Sequence, residues 1–156
     1  MAIAKDKLDA APARRDVEAG REEVERLVRE FEACTLAGER WTHEAHLTVA
    51  LWYLMRHTQA EATRLICERI QRYNLSRGVE MTRESGYHET ITLFYIRAIR
   101  RYLARAGEAR TFAELLDGLL AACGARNFPF EYYSRERLLS WEARTGWLEP
   151  DLKPLD

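Results

Sequence analysis

The chain has 156 residues, with 24 Lys and Arg against 25 Asp and Glu, and this near-neutral balance gives it no bulk attraction for nucleic acid or an anionic membrane. A hydrophobic share of 47% with 31% charged residues is ordinary globular composition, and the length suits one domain with a real core. The cysteines Cys34, Cys67 and Cys123 are odd in number and far apart, which excludes a disulfide framework and leads to the expectation of a reducing, cytoplasmic compartment.

Residues 1–15 read as a flexible tail, because Pro12 and scattered charges give no period and there is no apolar block of the secretory kind. A helical domain is expected over 16–147 and an extended tail over 148–156, where Pro150 and Pro154 fall. The first predicted helix runs from about Asp16 to Thr35, with Val24, Leu27, Val28 and Phe31 at helical spacing and Gly38 beyond it. The second opens at the N-cap Thr42 and runs to about His57. Its residues Leu47, Val49, Leu51, Trp52, Leu54 and Met55 cover most of the circumference, which places it in the middle of the domain. That apolar run is far short of the roughly 20 residues that cross a membrane.

The third predicted helix opens at Thr58, with Glu61 three residues on as a capping box, and carries Ala62, Leu65, Ile66, Ile70 and Tyr73 on one stripe. A polar loop from Asn74 to Gly86 precedes the fourth helix, about Tyr87 to Ala106, with Ile91, Phe94, Tyr95, Ala98 and Tyr102 inward and Arg97, Arg100, Arg101 and Arg105 outward. Thr111 and Glu114 form a second capping box and open a fifth helix that Gly124 stops. An aromatic connector, Asn127 to Tyr133, leads to a short last helix capped by Ser134 and ending near Gly146. No segment alternates as a strand does, so the expected fold is all-α, a single bundle of five to six helices. The arginine stripe reads as a solvated or salt-bridged face, and neither nucleic acid nor membrane is expected as a partner. An apolar helix face could pair two copies into a homodimer.

Three of the four histidines fall in the first turns of predicted helices: His43 and His46 in Trp41-Thr42-His43-Glu44-Ala45-His46, and His88 in Gly86-Tyr87-His88-Glu89-Thr90. Side chains three apart share a helix face and can hold one metal ion. Short connections make successive helices antiparallel, so the starts of the second and fourth helices, and the aromatic connector, arrive at one end of the bundle. His57 falls at the opposite end, where the helix dipole alone explains a histidine.

The strings Trp41-Thr42-His43-Glu44-Ala45-His46-Leu47 and Gly86-Tyr87-His88-Glu89-Thr90 resemble those of small bacterial helical proteins of no assigned function, over about residues 30–145. A more distant resemblance is to DinB/YfiT-like bundles, which hold a divalent metal with three histidines. That pattern has a single His and a separate His-x-x-x-His pair, whereas here His-x-x-His comes first, so no residue role is carried over.

The leading expectation is a metal-dependent enzyme, a hydrolase or oxygenase, acting on a small molecule. His43, His46 and His88 would hold a divalent ion (zinc, iron, manganese or nickel), with Glu89 as fourth ligand or general base. Glu44 is a second candidate carboxylate. The alternative is a non-enzymatic helical module that binds a ligand or protein at its aromatic end, with the histidines as hydrogen-bonded structural groups.

Overall fold

Helix starts leave backbone N–H groups without partners, and in this chain a side chain before each of four long helices accepts one of them. Thr42 accepts from Ala45, Thr58 from Glu61, His88 from Ile91 and Thr111 from Glu114. The computed structural model describes residues 10–108 and 110–155; residues 1–9 of the expected tail lie outside them. The long helices are α1 (Ala10–Glu32), α2 (His43–Leu54), α3 (Gln59–Ser76), α4 (Glu89–Ala106) and α5 (Phe112–Cys123), followed by two short ones, α6 (Arg135–Leu138) and α7 (Trp141–Thr145). Short 3-10 turns at Gly38–Arg40 and Phe128–Glu131 complete the chain, and no strand occurs among the described residues. The fold is an all-α bundle, and no described helix is long and apolar enough to cross a membrane.

α2 packs against α1, α3, α4 and α5, as its all-round apolar surface requires. Leu47, Val49, Leu51 and Tyr53 are buried around its circumference, and Phe31, Phe94, Leu119 and Tyr133 close the core from the neighbouring elements. Tyr132 and Tyr133 belong to this core, stacked around Phe94 with ring centroids 5.2 and 5.9 Å away.

Several boundaries differ from expectation for local reasons. α1 is already helical at Ala10, the first described residue, inside the stretch read as tail. It ends at Glu32 rather than Thr35, because Cys34 takes a left-handed φ of 58° and turns the chain. α2 stops at Leu54, three residues short of His57. α4 begins at Glu89 because Gly86, with φ +84°, makes a turn in which a Cβ would strike the Glu80 carbonyl. The last helix is two, since Ser140 caps α7 only two residues after α6 ends. The arginine face is not uniformly solvated: Arg97 lies over the Trp147 ring at 3.9 Å.

The first turn of α4 binds the C-terminal segment through buried polar groups. His88 Nε2 donates to the Leu138 carbonyl at 2.9 Å. Thr90, fully buried, donates to the Gly146 carbonyl at 2.6 Å and accepts from the Leu148 N–H at 3.1 Å. The buried Arg144 of α7 answers with donation to the carbonyls of Ser85, Gly86 and Tyr87 at 3.1, 3.1 and 3.2 Å. This clasp holds α6 and α7 against α4. Thr90→Val keeps the side-chain shape but strands both partners of the hydroxyl, and is expected to lower unfolding stability by about 2 kcal/mol. Urea denaturation followed by circular dichroism measures it; an unchanged midpoint would mean that the clasp contributes nothing.

Candidate functional site

A pocket of about 450 Å³ lies between the first turns of α2, helices α3 and α4, the 3-10 turn at Phe128–Glu131 and α6. Leu47, Ile66, Ile70, Ile91, Ile96 and Leu138 form its apolar wall. Trp41, His43, His46, Tyr95 and Arg126 bring the polar groups, and the lining contains no Asp or Glu. Mostly apolar walls with a few polar groups, at this volume, are the usual make-up of a small-molecule site.

Trp41 forms one side of the site. Its ring lies between Phe31, stacked with centroids 4.4 Å apart, and His46, at 3.8 Å. His46 Nδ1 is 2.7 Å from the Thr42 carbonyl, which can only accept, so Nδ1 carries the proton and Nε2 is left as an acceptor. Burial drives the His46 pKa down to about 4 against the pull of that carbonyl, with smaller effects of His43 and Arg126 in the same downward direction. His43 meets the edge of Tyr95 with ring centroids 5.2 Å apart. Its pKa is lowered by burial and by the Arg126 charge, while the nearby Gly124 carbonyl opposes them. The His43 Nε2 atom is nevertheless buried with no hydrogen-bond partner, and so is Trp41 Nε1. Both histidines are neutral at physiological pH, and the exposed Arg126 is the pocket's charge.

His88 and Glu89 lie elsewhere. His43 meets α4 at Tyr95, seven residues past His88, which is about 10 Å along a helix axis. The two helix starts do face the same way, but α4 begins about two turns beyond α2. His88 also spends both ring nitrogens: Nδ1 accepts from the Ile91 N–H at 3.2 Å while Nε2 donates to Leu138. Burial, together with the Arg144 charge, lowers its pKa, while the Leu138 carbonyl works the other way. Glu89 accepts from the Tyr87 hydroxyl at 2.5 Å and does not line the pocket. Glu44 lines a different groove. His57 lies beyond the other end of α2, with Nδ1 3.3 Å from Glu61.

Among the described residues no three His, Cys, Asp or Glu side chains are grouped to hold a metal ion. The residues present therefore do not fit the expected centre of His43, His46, His88 and Glu89. The mismatch is one of helix register, since only His43 and His46 share a pocket. No protein-family model matches the chain, and no curated protein or solved structure matches it.

Sequence reasoning did not single out Arg126. The available signal was position: Arg126 follows the helix stop at Gly124 and opens the aromatic connector, which reaches the same end of the bundle as His43. A second groove of about 940 Å³ between α1, α2 and α5 is larger. It carries charges of both signs, including Arg40, Arg56, Glu44 and Asp117, and none of the unpartnered buried atoms belongs to its lining.

The depressed His46 pKa makes stability depend on pH. The folded protein holds this ring neutral, whereas the unfolded chain protonates it near its ordinary value of 6.5. The contribution is therefore full above about pH 6.5 and is lost as pH falls toward 4. Between pH 7 and pH 4.5 the native protein should lose about 2 kcal/mol more stability than a His46→Phe variant, as measured by urea denaturation. Parallel losses in the two proteins would show that His46 is not held neutral.

Proposed function

We propose that the protein is a non-enzymatic binding module that takes a small, largely apolar molecule into the pocket beside His43 and His46. One observation carries the reading. Buried polar atoms in folded proteins are almost always hydrogen-bonded. Among the described residues three buried side-chain polar atoms lack a partner, and two of them, Trp41 Nε1 and His43 Nε2, belong to residues that line this one pocket. A bound molecule that offers polar atoms to these groups, with an apolar body against Ile66, Ile70 and Ile91, would relieve that deficit and fill the volume. His88 is then a structural cap, and Trp41 packs against His46 at the rim of the site.

The neutral fluorescent probe N-phenyl-1-naphthylamine tests the reading. It should bind the native protein saturably at one site. Ala50 is buried and lines the pocket, so Ala50→Leu should fill space and weaken binding by about tenfold or more. Absence of saturable binding, or equal binding by the variant, would overturn the proposal. Zinc addition is the counter-test. A metal bound tightly by the native state raises the melting temperature, so a clear rise with one equivalent of zinc would restore the metal-dependent enzyme in its place.

A further inference from the structure

Resting on that reading of the pocket, we infer that its ligand is an anion with an apolar body, a medium-chain or aryl carboxylate, bound with its head group at Arg126 and its tail along the aliphatic wall. The lining has one ionisable cation and no acid, because Arg126 stands among sixteen residues that include no Asp or Glu. Arg126 forms no salt bridge among the described residues, while Arg21, Arg40, Arg64 and Arg69 each have an acidic partner. Its side chain lines the same pocket as both histidines, and its charge helps to lower the pKa of each.

The unpartnered atoms favour the same head group. Trp41 Nε1 can only donate, and His43 Nε2 donates in the tautomer that carries its proton there. A planar guanidinium with further N–H donors suits a carboxylate, which has four lone-pair sites and no proton to offer. An ammonium head would meet Arg126 repulsively with no carboxylate to answer it. A neutral hydroxyl would satisfy an orphan donor but would gain no charge-assisted bond from the guanidinium. The opposite side of the pocket has aliphatic carbons from α2, α3, α4 and α6 and asks only for an apolar tail.

Competition against bound N-phenyl-1-naphthylamine tests this with ligands matched in tail: octanoate, 1-octanol and octylamine, and 2-naphthoate as the aromatic carboxylate. Octanoate should displace the probe at about tenfold lower concentration than 1-octanol, with octylamine weakest. In Arg126→Gln, an exposed position, this preference should fall to within about threefold, each displacement being referred to the probe affinity measured for that variant. The relative strengths of octanoate and 2-naphthoate tell a chain-shaped site from a ring-shaped one. Equal displacement by 1-octanol and octanoate, or a preference that survives Arg126→Gln, would overturn the inference and leave the pocket reading standing. Failure of the probe itself to bind would overturn both.

Discussion

A helix start buried inside a domain must find partners for its polar groups, and the architecture around the site depends on how α4 does so. His88, Thr90 and the carbonyls of Ser85, Gly86 and Tyr87 are enclosed by the C-terminal segment. Leu138, Gly146, Leu148 and Arg144 of that segment each bond one or more of them. Arg144 is a buried cation with carbonyl dipoles in place of a carboxylate, and burial lowers its pKa. Short α6 and α7 could not hold their own place, being only four and five residues long. The clasp anchors them, and in doing so sets Leu138 as one wall of the pocket. His88 therefore shapes the site without entering it.

The pocket itself follows from two mismatches of size. α2 is apolar nearly all round, but beside Leu47 it presents only the smaller or polar His43, His46 and Ala50 to the pocket. The space they leave is rimmed by a stack, Phe31 on Trp41 on His46. In such a partly dry environment both histidines stay neutral, so they offer hydrogen bonds rather than charge. Arg126 is then the one charged side chain in the lining. A guanidinium keeps its charge under any ordinary burial, which makes it the group suited to that role.

The helical periods, the threonine caps and the central place of α2 were legible in the sequence, because each rests on spacing within one segment. The capping box at Thr111 and Glu114 forms in full. So does the co-location of the starts of α2 and α4 in direction, since chain reversal at short connections gives it. Legible too was the bland alternative for His88, a histidine at a helix start bonded to a loop carbonyl. Two of the boundaries that differed were set by single backbone conformations, the left-handed Cys34 and the turn at Gly86. A sequence pattern does not announce a cysteine in that conformation.

What decided the site was axial register. Sequence places His43, His46 and His88 at helix starts, but a sliding offset between packed helices leaves every periodic stripe intact and changes which residues meet. Here α4 is displaced so that Tyr95, not His88, stands opposite His43. Packing also brings Arg126, from the connector after α5, into one pocket with two histidines more than 70 positions earlier in the chain. Local spacing determined the elements and their buried faces, because propensity and amphipathicity act within a few turns. The tertiary structure alone decided the composition of the pocket, because burial, charge and unpaired hydrogen-bonding groups are properties of neighbours brought together by packing.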